Sequence, residues 1–219
     1  MATTQVYLRF PVPPNLPLAP QGYESRYHEA LNNVLRLYFN QLSNALLTLS
    51  GGDGGGGRFL TFPYGAFSDS TSQTAASTTV AYAITLNTTD FSSGVTVVSG
   101  SRITTEYAGV YNLQFSVQMQ NLDNAPQDIE IWARKNGTNI PGSNSRFGLA
   151  ARKSAGVPFH IIGSLNLFLD MAANDYVELV WNTTNTATSI AAYAAGTAPT
   201  RPTVPSVITT MTFVSAPTA

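Results

Sequence analysis

Three kinds of hydrophobic patterning follow one another along this chain. In "TTQVYLRFPVPP" Val6, Leu8 and Phe10 alternate with polar or charged neighbours, a period that suits a strand added to the edge of another sheet. Pro11, Pro13, Pro14, Pro17 and Pro20 exclude a helix interior over the same region. Residues 1–22 are therefore expected to form an extended arm that orders on a partner, since its apolar row is otherwise exposed.

Residues 23–50, "YESRYHEALNNVLRLYFNQLSNALLTLS", contain neither proline nor glycine. Leu31, Leu35, Tyr38, Leu42, Ala45 and Leu49 recur with alternating spacings of four and three, the seam of a coiled coil. Val34, Leu37, Phe39, Leu46 and Leu47 widen the apolar surface beyond one seam. The pattern predicts a self-associating neck helix. The alternative is an amphipathic helix packed in the core of a single chain. Immediately after it comes "GGDGGGG", residues 51–57, which argues against rigid packing on its own domain and reads as a joint.

From residue 58 to 219 the period changes to two. In "YNLQFSVQMQ" Leu113, Phe115, Val117 and Met119 alternate with Asn112, Gln114, Ser116, Gln118 and Gln120, giving one buried and one amide-rich face. "DIEIWARKNGTNI" places Ile129, Ile131 and Ala133 inward and then turns at Asn136-Gly137, a strong hairpin signal. "SLNLFLD" and "DYVELVW" flank a turn at residues 172–174, and "SVITTMTFV" supplies a last strand. The segment is expected to be a mainly β sandwich.

Composition narrows the chemistry. Only 11% of residues are charged against 43% hydrophobic, so Ser, Thr, Asn and Gln must supply most of the polar surface. A net charge of −1 gives no basis for general nucleic-acid or membrane binding. With no cysteine, disulfides, thiolate catalysis and Cys-based metal sites are excluded. No apolar run approaches the length of a membrane helix, and the opening residues lack the pattern of a secretory leader.

"SRITTEYAGVYNLQFSVQMQ", "IWARKNGT" and "LNLFLDMAANDYVELVW" together resemble the C1q/tumour-necrosis-factor-like jelly roll. Gly109, Val110 and Tyr111 match its motif at the start of a long strand, Lys135, Asn136 and Gly137 its hairpin, and Asn174-Asp175 the turn before a later strand. The last strand departs from that family in lacking an aromatic-rich ending. Over nearly its whole length, the chain is similar to virion structural proteins of tailed phages infecting marine cyanobacteria. The "ESRYHEALNNVLRLYFNQL" helix, the glycine run and "FPYGAFSDSTSQTAA" carry that similarity. The resemblance implies a homotrimer, with heads about a three-fold axis and the helix as a trimeric coiled-coil neck. Helix axes in such a neck stand about 10 Å apart, whereas sandwich heads receive their chains farther out. The glycines can span that mismatch.

Candidate chemistry is sparse. His28 continues the helical seam and His160 begins a strand, so each reads as a packed polar residue rather than a metal ligand. No nucleophile elbow or phosphate loop occurs, and no catalytic residue, metal site or cofactor is expected. Asp128 and Glu130 share a strand face with Trp132 and Arg134, an arrangement that reads as a charged outer face rather than a glycosidase pair. Asp170, Asp175 and Glu178 are expected to stay in water. Arg146, Arg152 and Lys153 fall in "SRFGLAARKSAG", which reads as a long rim loop able to contact acidic sugars or an acidic partner, or else as a solvated loop.

The expectation is a non-enzymatic virion protein exposed on the released particle. It would bind itself, other virion proteins through the arm, and a host surface glycan or receptor through the head, as a tail fibre or receptor-binding tip. Capsid decoration is the alternative, and a host-side C1q-like binding module is a third reading.

Overall fold

The computed structural model describes residue 12 and residues 14–18, 21–50 and 62–216, with helix side chains as far as residue 46. The arm positions Val6, Leu8 and Phe10, the side chain of Leu49 and the glycine run at 51–57 lie outside the described residues. The chain divides into two units, Met1–Phe62 and Pro63–Ala219.

The first unit contains helix α1 (Ser25–Ser50). Tyr27, Leu31, Val34, Leu35, Tyr38, Leu42 and Ala45 form its half-buried stripe, which is the predicted seam plus Val34 and Tyr27. Leu37, Phe39 and Leu46 are exposed. No described helix position is fully buried. No described helix is long and apolar enough to cross a membrane.

The second unit is antiparallel β. Its strands are β1 (Tyr64–Asp69), β2 (Gln73–Thr74), β3 (Tyr82–Ala83), β4 (Thr88–Ser93), β5 (Val95–Val98), β6 (Arg102–Thr105), β7 (Gly109–Asn121) and β8 (Gln127–Lys135). They continue with β9 (Thr138–Asn139), β10 (Ser145–Leu149), β11 (Phe159–Met171), β12 (Tyr176–Thr183), β13 (Thr188–Ile190), β14 (Gly196–Thr197), β15 (Thr200–Arg201) and β16 (Val207–Ser215). One sheet runs β2-β13-β7-β16-β1-β4, with β11 on the other side of β7. β16 pairs with β7 from Val110 to Val117 and β13 takes over from Met119 to Asn121, so the two lie end to end along one edge. The second sheet runs β10-β8-β12-β6-β5, with β3 on β12 and β9 on β8.

Period-two burial makes the core. Tyr111, Leu113, Phe115, Val117 and Met119 point in from β7, and Ile129, Ile131 and Ala133 point in from β8. Trp181 is among the fully buried side chains of the same cluster. The amide row predicted opposite the β7 core positions is on the outside, where Asn112, Ser116, Gln118 and Gln120 are half-buried and Gln114 is exposed.

Candidate functional site

The motif residues come together at two places in the head. At the first, Gly109 opens β7 beneath the last strand. A Cβ there would stand 2.3 Å from Phe213 Cε2 and 2.8 Å from the Ser215 carbonyl. The same Phe213 ring meets Tyr111 edge-on at 5.5 Å, and the Tyr111 hydroxyl donates to the Tyr107 carbonyl at 2.9 Å. Gly109 and Tyr111 thus serve packing: one makes room for an aromatic ring and the other braces it.

At the second place the two turn motifs, 39 residues apart in sequence, are hydrogen-bonded. Asn136 and Gly137 both have positive φ, 48° and 81°, the backbone of a two-residue type I′ hairpin. The Asn136 amide donates to Asp175 Oδ1 at 2.7 Å, and its oxygen accepts the Tyr176 N–H at 3.0 Å. Lys135 Nζ lies 3.0 Å from Asp175 Oδ2, which also accepts the Ala172 N–H at 2.8 Å. Burial pushes the Asp175 carboxyl up, but the bonds from Asn136, Lys135 and Ala172 and the Lys135 charge outweigh it, so it titrates below its ordinary value.

That direction fixes a pH dependence. A depressed carboxyl contributes stability above its unfolded value of about 3.9 and loses it as pH falls through the folded value. Asp175→Asn is expected to destabilise the head by about 1–2 kcal/mol at pH 7. The gap between wild type and variant should begin to narrow as pH falls below the unfolded value and close only at the lower pH where the folded wild-type carboxylate takes up its proton. Thermal unfolding across pH measures this, and a pH-independent gap would show that the charge is not what matters.

Two sequence expectations about charged residues need correction. Asp175 and Glu178 do not stay in water. The Asp175 side chain is only 16% exposed, and Glu178 is buried on the central strand β12. Glu178 accepts from Ser101 Oγ at 2.8 Å and lies 3.5 Å from Arg102 Nε. Arg102 is held in turn 4.7 Å over the Tyr176 ring. Arg146 is not in a loop but on strand β10, because Phe147 and Leu149 turn inward and pair this segment with β8. Its Nε donates to Glu130 Oε1 at 2.7 Å, and Asn144 donates to Glu130 Oε2 at 3.0 Å. The Asn144 and Arg146 bonds hold the Glu130 carboxyl below its ordinary value. This is the opposite of the raised value that a general acid requires.

Arg152 and Lys153 do lie in the β10–β11 loop. Arg152 is fastened to the β7–β8 connection: its backbone N–H donates to the Asp123 carbonyl at 2.8 Å and its Nη1 to the Leu122 carbonyl at 3.3 Å. Asp123 Oδ2 accepts from Asn185 at 2.7 Å and from Gln127 at 2.6 Å. Three connections therefore form one braced rim, from which Lys153 is exposed.

Of the two histidines, His28 is exposed on α1 and stacks on Tyr23 at 5.0 Å. His160 Nδ1 lies 2.8 Å from the Tyr193 hydroxyl, which also donates to Gln120 Oε1 at 2.8 Å. Burial raises the Tyr193 phenol above its ordinary value. Among the described residues no group of three or more His, Cys, Asp or Glu is placed to hold a metal ion.

One feature was missed by reading the strands as core-forming runs. The outer face of β7, β11 and β16 carries an open groove of about 560 Å³, lined by Gln114, Ser116, Ser164, Asn166, Ile208 and Thr210. The signal was present in "HIIGSLNLFLD", where Ile162 and Phe168 occupy solvent-phase positions of an alternating strand. Compared with protein families and with curated proteins, the chain matches none.

Proposed function

We propose that the chain is a non-enzymatic structural protein of a tailed-phage virion. In this reading it is a homotrimer, docked on the particle by its N-terminal arm and projecting its head for host adsorption. The observation that carries the reading is the meeting of the resemblance motifs, Lys135-Asn136-Gly137 with Asn174-Asp175 and Gly109 with Tyr111, inside one antiparallel head. The strand order supports the jelly-roll form of that head. Its ten strands of four or more residues divide into β1, β4, β7, β11 and β16 on one sheet and β5, β6, β8, β10 and β12 on the other, two antiparallel sheets of the kind a double-sheet jelly roll uses. A helix whose apolar stripe is no more than half-buried among the described residues supports self-association. The braced rim bearing Arg152 and Lys153 supports contact with a ligand, because rigid loops lose little freedom on binding.

Localisation tests the reading. An antibody against the head, applied to intact particles and viewed by electron microscopy, is expected to label the tail. The purified chain is then expected to compete with particles for host cells, and Arg152→Ala with Lys153→Ala to weaken that competition. Label spread over the shell would reassign the protein to capsid decoration, and absence of label on any particle would remove the virion reading.

A further inference from the structure

Trp132 and Arg134 stand on the outer face of the second sheet, at successive outward positions of β8. Both donate to one acceptor: Trp132 Nε1 lies 2.9 Å and Arg134 Nε 3.3 Å from Asn139 Oδ1. An indole N–H and a guanidinium N–H can only donate, so the atom they share is the amide oxygen. The amide nitrogen of Asn139 is thereby left to donate elsewhere. Asn139 itself is set by β9, which pairs with β8 across the Asn136-Gly137 turn that is fastened to Asp175. Ring, guanidinium and amide are therefore placed side by side before any ligand arrives.

Charge at this spot is not balanced within the chain. The carboxylates beside Arg134 in the sheet are Glu130, the outward residue before Trp132 on β8, and Glu178, in register with Arg134 on β12. Each already has its own cation, Arg146 for Glu130 and Arg102 for Glu178, while Asp175 takes Lys135. Arg134 forms no ion pair among the described residues, and its Nη1 and Nη2 donate to none of them. Trp132 and Arg134 are both half-buried, held at the sheet and still open to solvent.

We infer that this patch binds an acidic saccharide, the carboxylate of a uronic acid on Arg134 and its pyranose ring on Trp132. The polar groups left unused are all donors, Arg134 Nη1 and Nη2 and Asn139 Nδ2, so the ligand must be rich in acceptors. The planar guanidinium matches a carboxylate in two-point contact. The indole face is the negative side of an aromatic quadrupole and attracts the weakly positive C–H groups on one side of a sugar ring. Tryptophan and arginine are also the residues that concentrate binding energy at recognition surfaces. A peptide side chain needs a recess to fill, and the open groove lies on the other sheet, whereas a sugar ring stacks on a flat face. The inference deepens the adsorption reading and rests on its claim that the head contacts a glycan. Binding in solution tests the patch and localisation on particles tests that reading, so the two fail separately.

Tryptophan emission reads the patch directly. The chain has two tryptophans, and Trp181 is buried in the core, so a sugar stacked at the surface perturbs Trp132. The full chain is titrated with oligosaccharides of galacturonate, glucuronate and guluronate. At least one is expected to change the emission, and methyl esterification of its carboxylates to weaken binding by about tenfold or more. By calorimetry, Arg134→Gln and Trp132→Ala should each weaken it by about as much. Trp132→Phe keeps a ring and should bind nearly as well as wild type, and Arg134→Lys, a charge without the planar pair of donors, should fall between. Where Trp132→Ala fails to fold, Arg134→Gln carries the test. Failure of every uronate oligosaccharide to bind, or equal binding of the esterified form, would overturn the inference. So would binding lost in Arg152→Ala/Lys153→Ala but kept in Arg134→Gln, which would move the ligand to the rim. Preference for a sulfated saccharide would overturn the uronate assignment, and preference for an acidic peptide would make the patch a peptide site.

Discussion

Valine in place of Gly109 is expected to lower the stability of the head by about 3 kcal/mol, through overpacking at a site with no slack. The first added carbon already falls 2.3 Å from Phe213 Cε2 and 2.8 Å from the Ser215 carbonyl. The ring cannot simply swing away, because Tyr111 meets it edge-on, and the carbonyl belongs to the backbone of β16. For a domain of this size the loss corresponds to a fall in melting temperature of about 6–12 °C. The cause is separable by a double-mutant cycle. Phe213→Leu removes the ring that the valine strikes, so the pair should cost clearly less than the sum of the single variants. Additive effects would place the strain elsewhere, and an unshifted melting temperature for Gly109→Val would mean that β16 moves aside freely.

That collision shows where a sequence stops being informative. The alternation of β7 and β8 and the Asn136-Gly137 turn were legible because each depends on neighbours in the chain. Which strand lies over Gly109 was not, since Phe213 arrives from a strand about a hundred residues later. The same holds for sheet order, which rests on non-local pairing. β2, β3, β9, β14 and β15 have two residues each, too few to show a period. Glu178 could have been read correctly. It interrupts "YVELVW", a nearly continuous apolar run of the kind that is buried on both faces, so the carboxylate had to be buried with partners. Arg146 was misplaced because glycine, serine and alanine around it read as a loop, although Phe147 and Leu149 already alternated. The unpaired face of the first sheet follows the same lesson. Gln114, Ser116 and Gln118 marked it as polar, but only the structure shows that their side chains make no hydrogen bond with any described residue.

The helix makes the larger demand on a partner. Its predicted seam coincides with the half-buried stripe at Leu31, Leu35, Tyr38, Leu42 and Ala45, while no described position of it reaches full burial. A buried leucine is worth about 1.5–3 kcal/mol, so a seam of this length can drive assembly if copies pack along it. A helix of 26 residues is about 39 Å long, room for about three heptads of contact. Replacing Leu35 and Leu42 with aspartate puts two carboxylates from every chain into that seam without counter-charges, a loss of several kcal/mol. The full chain is expected to sediment as a trimer. In the Leu35→Asp/Leu42→Asp variant the dissociation midpoint should move to at least a hundredfold higher concentration. The β signature in circular dichroism should be unchanged, because the head is a separate unit with its own core. Any association that remains would then come from contacts outside the helix seam. An unshifted midpoint would place the helix outside the assembly and return it to the role of an amphipathic helix packed within its own chain.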